Sequence, residues 1–192
     1  MKKQTNRLCV LIGICLLIVA ALVLIFWQWK IHDSQQKASK YLQTIRTLIP
    51  EPQNAALEEK HDNAMPVLDV SGKDFIGILE MPKFRSSLPV CADWGKVSEY
   101  PCRLGGNVYD RTIQIGTTSQ KGQYDFYREI SVGDFLYFTD MEGNRFSYEV
   151  ADIRHEKHAD QTTLHREDAA LTVFIKNVYS FEYIIIFCDY VS

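Results

Sequence analysis

Residues 8–29 read LCVLIGICLLIVAALVLIFWQW, 22 positions without a charged side chain, bracketed by Arg7 and Lys30. No stretch of the chain constrains the fold more. A helix needs about 20 apolar residues to cross the hydrocarbon core, and a spanning helix satisfies its own backbone hydrogen bonds. Trp27 and Trp29 stand at one end of the run, where amphipathic rings favour the membrane interface. A cleaved signal peptide is the competing reading. The run is long for one, and no A-x-A cleavage pattern follows it. The expectation is a transmembrane anchor over 8–29, behind a cytoplasmic N-terminus of residues 1–7. Lys2, Lys3 and Arg7 precede the span and Lys30, Lys37 and Lys40 follow it, so charge bias alone does not orient it. The short leading segment suggests a signal anchor, with residues 30–192 outside the cytoplasm in a single-pass arrangement at the cell membrane.

Beyond the anchor, the chain of 192 residues carries a formal net charge of −3 and a sequence pI of about 6.0. A nucleic-acid partner would call for a basic surplus, so none is expected. An apolar fraction of 46% is too high for a disordered chain. The five cysteines include no C-x-x-C pair, which excludes a dense disulfide scaffold and the usual paired-cysteine zinc sites. Cys9 and Cys15 fall in the span. Cys91, Cys102 and Cys188 lie beyond it, so at most one internal disulfide can form among those three, and its pairing stays open. No cofactor is implied.

Residues 31–49 place Ala38, Tyr41, Leu42, Ile45, Leu48 and Ile49 largely at helical spacing, and Pro50 stops the pattern. This is a stalk helix whose apolar face packs on the domain or on lipid. Residues 50–72 hold Pro50, Pro52, Pro66 and Gly72 and read as a linker, so that 30–72 forms stalk helix and linker. From 73 to 192 the texture becomes that of an all-β domain. Runs at 75–82, 112–116, 134–140, 145–153, 171–175 and 183–191 are rich in β-branched and aromatic residues, with Gly-containing turns between several of them. Phe146, Tyr148 and Val150 alternate with Ser147, Glu149 and Ala151, and the M-E-G-N segment before them signals a hairpin. Many short strands at this spacing imply a barrel or sandwich.

The ordered set DFIGILEMPKFRSSLPV (74–90), YPCRLGG (100–106), TIQIGTTS (112–119), ISVGDFLYFTDMEGNRFSYEVADI (130–153) and LTVFIKNVYSFEYIIIFCDYV (171–191) resembles the sortases, membrane-tethered cysteine transpeptidases of mostly Gram-positive bacteria. The resemblance covers 74–191 and is nearest to class-B-like members. It implies an eight-stranded β-barrel carrying a Cys nucleophile, a His acid/base and an Arg that holds substrate or oxyanion. A thiolate is a strong nucleophile beside a positive neighbour. An imidazole moves protons near neutral pH, and a guanidinium supplies fixed donors to developing negative charge.

At those positions the pattern breaks. Lys176 stands where the resemblance places the Cys, and Tyr183 where it places the Arg. The His position falls on Thr118, or on Thr117 with a one-residue slip. Alignment error does not restore the set: no histidine lies between His61 and His155, no cysteine between Cys102 and Cys188, and no arginine after Arg166. The expectation is a pseudoenzyme that binds a sorting-signal peptide, a pilin-like protein or an active sortase in cell-wall or pilus assembly. Two alternatives stand beside it. One is an enzyme with relocated chemistry at Cys188 or Lys176, and the other a purely structural envelope protein. Cys188 ends an apolar strand, where a buried inert thiol is the default. Cys91 and Cys102 either pair or pack, and nothing near Ser86, Ser87 or Ser180 signals activation. His155, His158 and His165, with neighbouring carboxylates, have the composition of a zinc site but fall in a polar, loop-like stretch, so no metal is expected. Tyr124, Phe126 and Tyr127 are read as packing residues, with a peptide-binding aromatic groove as the alternative.

Overall fold

A computed structural model describes residues 2–54, 64–97, 99–119, 125–158, 166, 168–177, 180 and 182–191, with the backbone alone at 2–12, 27–37, 54 and 125–126. The chain forms two compact units, Met1–Gln36 and Lys37–Ser192. Helix α1 runs as one element over Lys2–Leu48, covering both the apolar run and the stalk. Its end follows from Pro50, which disfavours helical geometry at the residue before it. Within the first unit every described side chain from 13 to 26 is exposed. Among the described residues no helix is long and apolar enough to cross a membrane.

In the second unit ten strands follow in chain order: β1 (Gln53–Asn54), β2 (Leu68–Asp69), β3 (Asp74–Met81), β4 (Ser86–Cys91), β5 (Cys102–Gly105), β6 (Ile113–Thr118), β7 (Phe135–Asp140), β8 (Asn144–Glu156), β9 (Leu171–Lys176) and β10 (Tyr183–Val191). The sheet order β8-β10-β9-β6-β5-β4-β3 is closed by β7, which pairs with both β3 and β8. These eight strands make the barrel, and β1 and β2 are short additions at its seams. Both lie in the segment that reads as a linker. β1 runs parallel to the start of β8, and β2 pairs with β3.

Alternation along the strands fills the interior. Phe146, Tyr148 and Val150 of β8 join Leu171, Val173 and Ile175 of β9 and Ile184, Ile186 and Cys188 of β10 in one core. The hairpin between β7 and β8 closes as its sequence implies, with Gly143 at φ +85°, where only glycine sits without strain. Asp140, fully buried, organises this turn. Its carboxylate accepts from the Glu142 and Asn144 backbone amides, each at 2.9 Å, from Asn144 Nδ2 at 2.8 Å and from the Tyr109 hydroxyl at 2.7 Å. Four donors offset the cost of burying the group.

A second cluster lies on the outer side of β3, β4 and β5. There Ala38 and Ile45 of α1 are buried with Phe75, Ile78, Cys91, Tyr100 and Cys102, and Tyr41, Leu42 and Ile49 pack around them. The helical spacing read from the sequence therefore faces protein at this end of α1. Tyr41 meets Phe75 at 5.4 Å and Tyr100 edge-on at 5.8 Å. Arg46 donates to Glu80 at 2.9 Å and to Ser87 at 2.8 Å.

Candidate functional site

Strands β6, β9, β10 and β8 are consecutive neighbours, and their register lines up three rows of outward-facing residues. Thr118 lies opposite Lys176, Lys176 opposite Tyr183, and Tyr183 opposite Glu156. The next row is Gly116–Phe174–Ile185–Arg154, and the third is Gln114–Thr172–Phe187–Asp152. The inner-facing positions between them belong to the core, so pleat geometry sends these rows to the outside.

The three positions singled out by the resemblance thus share one row. Lys176 is exposed, and Thr118 and Tyr183 are half-buried. Lys176 Nζ sits 5.9 Å from the centre of the Tyr183 ring. Thr117, the alternative to Thr118, faces the interior at 3% exposure, and its hydroxyl has no hydrogen-bond partner among the described residues. These three positions hold a hydroxyl, an amine and a phenol, with no thiol, imidazole or guanidinium, and Glu156 adds a carboxylate at the end of the row. The loops that follow β6 and β9 are tied at their starts. The Ser119 amide donates to the Lys176 carbonyl at 2.9 Å, and the Asn177 amide to the Glu182 carbonyl at 2.8 Å. The Ser180 amide donates to Asn177 Oδ1 at 3.3 Å.

Beside that row lies a buried apolar cluster with Trp94 at its edge. Trp94 and Phe174 stack with centroids 5.5 Å apart. A Cβ at position 116 would overlap both rings, so Gly116 makes the close approach possible. Phe174, Ile185, Phe187 and Ala169 form a small cluster of their own, while Trp94 stays 38% exposed at its edge. Charges rim it. Arg154 lies 5.0 Å from the Phe187 centroid and Arg166 lies 5.6 Å from it. Arg154 pairs with Asp152 at 2.9 Å. Arg166 clasps Asp168 through two nitrogens at 2.6 and 2.8 Å, which holds the Asp168 carboxyl below its ordinary range. No sequence signal pointed to Trp94, because its approach to Phe174 depends on strands far apart in the chain.

The remaining candidates scatter. Cys188 faces the barrel interior at 0% exposure, and burial pushes its thiol well up. His155 and His158 are both exposed, and His165 lies outside the described residues. No group of three or more His, Cys, Asp or Glu residues assembles as a metal site among the described residues. Tyr127 is buried in the core; Tyr124 and the Phe126 side chain are outside the description. Ser86 and Ser87 belong to β4, away from the Thr118–Lys176–Tyr183 row.

No protein family and no curated protein matches the chain by sequence. Solved structures do match its fold. Sortase A of Corynebacterium diphtheriae, a lid mutant, superposes with a TM-score of 0.51 at 15% identity, over 62% of this chain and 72% of that one. A sortase D5 transpeptidase of Clostridium perfringens gives 0.52 at 13% identity, over 62% and 80%. A pilus-related sortase C of Group B Streptococcus gives 0.51 at 16% identity, over 84% and 91%. None of these three is of the class-B type that the sequence suggested. At such identities the likeness is one of fold, and the chain has a sortase-like β-barrel.

Proposed function

We propose that this chain is a membrane-anchored sortase-like protein, displayed outside the cytoplasm, that holds an extended peptide on its outer face without cleaving it. The observation that carries the reading is the row Thr118–Lys176–Tyr183, with the resemblance supplying its meaning. The positions expected to hold acid/base, nucleophile and oxyanion donor come together across three neighbouring strands, and none bears the required group. A threonine hydroxyl does not exchange protons near neutral pH as an imidazole does. Lys176 is exposed rather than enclosed in the apolar pocket that activates an amine nucleophile. Cys188, the nearest cysteine in sequence, is sealed inside the barrel.

The peptide-holding part rests on the exposed Trp94 ring, which packs against the buried Phe174 beside the row and offers an aromatic surface on which an extended segment docks. The ligand class is a sorting-signal peptide, presented alone, on a pilin-like protein, or in company with an active sortase. The anchor part rests on residues 8–29. As a helix they extend about 33 Å, enough for the hydrocarbon core. The described side chains there are exposed, Leu17 at 72% and Leu24 at 65%, an apolar surface that water does not accommodate. Alkaline extraction of membranes leaves an integral anchor in the pellet and releases a peripheral protein.

The full chain in detergent micelles is incubated with a pool of sorting-signal peptides and an acceptor amine, with an intact sortase in parallel. Mass spectrometry reads cleavage and transfer, and retention on immobilised chain reads binding. Retention without turnover is expected. Specific turnover would overturn the non-catalytic reading, and failure to retain any peptide would leave an assembly role for the barrel.

A further inference from the structure

Cys91 and Cys102 are register partners on the neighbouring parallel strands β4 and β5. Side chains of register partners leave the same face of a sheet, with strands about 4.8 Å apart, which lies within the reach of a disulfide. The Cys91 amide donates to the Pro101 carbonyl at 2.8 Å, so the backbones are tied at the pair itself. Both residues are buried, at 1% and 0%, and both thiols are free. The Cys102 thiol donates to the Tyr100 carbonyl at 3.4 Å. The neighbouring Cys102 side chain and the Lys73 ammonium lower the Cys91 thiol, while the Cys91 side chain and burial raise that of Cys102. The ammonium favours a thiolate at Cys91, the form that attacks a disulfide. Around the pair stand Tyr41, Leu42 and Ile45 of α1, with Phe75 and Tyr100.

We propose that Cys91 and Cys102 form a thiol–disulfide exchange site roofed by residues 38–48 of α1. The co-reactant is an external disulfide, either small or borne by an oxidoreductase. The Cys91 thiolate attacks it and releases one thiol, leaving a mixed disulfide. The Cys102 thiolate then attacks the Cys91 sulfur and displaces the second thiol. Two protein thiols are oxidised, one external disulfide is reduced to two thiols, and the two protons pass to the leaving thiolates. Because both sulfurs are covered, exchange requires a local opening, and α1 over 38–48 is a covering element that adds no strand to the sheet.

The full chain in detergent micelles is equilibrated with mixtures of reduced and oxidised glutathione. It is then denatured, labelled with N-ethylmaleimide, digested and mapped by mass spectrometry. The expected product is a linked Cys91–Cys102 peptide, with the intact protein lighter by two hydrogen atoms and Cys188 labelled in every sample. Both cysteines labelled throughout, or each carrying glutathione in place of the other, would overturn the site. Ile45→Ala tests the roof. Exchange roughly tenfold or more faster than in the wild type is expected from easier local opening, and equal rates would overturn the part assigned to α1.

Discussion

Replacing Ile45 with alanine separates a helix that belongs to the barrel from one that merely leads to it. Ile45 is fully buried among Phe75, Tyr100 and the two cysteines. The substitution removes three carbons, about 2.4 kcal/mol of transfer free energy at about 0.8 kcal/mol each. The hole left between α1 and the sheet raises the loss to about 3–4 kcal/mol, within the usual range for such truncations. Alanine's better helix propensity returns only a few tenths of a kcal/mol, so the net effect is about 3 kcal/mol. For a unit of this size that is a fall of about 6–12 °C in midpoint. Thermal unfolding of residues 37–192, followed by near-ultraviolet circular dichroism, measures it. Arg46→Ala, on the exposed side of the same turn, is the control. Its bridge to Glu80 joins side chains 51% and 21% exposed, and such pairs contribute less than about 1 kcal/mol. A loss under about 1 kcal/mol for Ile45→Ala would refute the packing of this helix end on the barrel.

Asp140→Ala leaves the Glu142 and Asn144 amides and the Tyr109 hydroxyl without their common acceptor. A cost of about 3 kcal/mol or more is expected from urea unfolding, since unsatisfied buried donors carry about 1–3 kcal/mol each. Gly116→Ala drives a methyl group into the Trp94 and Phe174 rings; a shift in the tryptophan emission and weaker peptide retention are expected, with the unfolding midpoint changing less than for Asp140→Ala. Alkaline pH weakens the second unit. Burial opposes the charge on Lys73, but hydrogen bonds to Glu99 and Tyr100 outweigh it and raise its pKa; burial also raises that of Tyr100. Groups with raised folded pKa values contribute fully below their unfolded values and lose that contribution as pH rises past about 10. Urea midpoints should therefore hold up to about pH 10 and fall above it, and Lys73→Met should flatten the decline.

Strands with strong side-chain character were legible in the sequence, and weak ones were not. β7, β8, β9 and β10 are built from β-branched and aromatic residues, and their limits fall within a few positions of the runs that announce them. β4 begins with two serines and carries Pro89 opposite Ile78, a composition that reads as a turn. β5 is four residues long and meets β4 through a single partner pair, too little for a periodic signal. The same limit left open whether Cys91 and Cys102 pair or merely pack. Nothing local relates position 91 to 102, because a parallel contact of one residue pair is a product of barrel closure. Nor does spacing decide between Thr117 and Thr118. A slip of one residue moves a side chain to the other face of a sheet, and only the β6–β9 register shows that Thr118 shares the outer row with Lys176 while Thr117 faces inward.

That division between faces also explains how a barrel of this type exists with a hydroxyl, an amine and a phenol in that row. Its cohesion comes from inward positions, where Ile113, Ile115, Leu171, Val173, Ile175, Ile184 and Ile186 form one buried core. Thr118, Lys176 and Tyr183 alternate with those residues and retain contact with solvent. Substitutions at such positions usually change stability by no more than about 0.5 kcal/mol, so the strands that align the row do not depend on what the row carries. The outer residues that are buried, Phe174, Ile185 and Phe187, are a different matter. They are apolar, Phe187 lies beneath the Arg154 and Arg166 guanidinium groups, and loss of any one opens a cavity. The outer face thus divides into a row free to vary and a shelf bound to the fold. A ligand that docks here is held by the shelf, while the row determines whether anything happens to it.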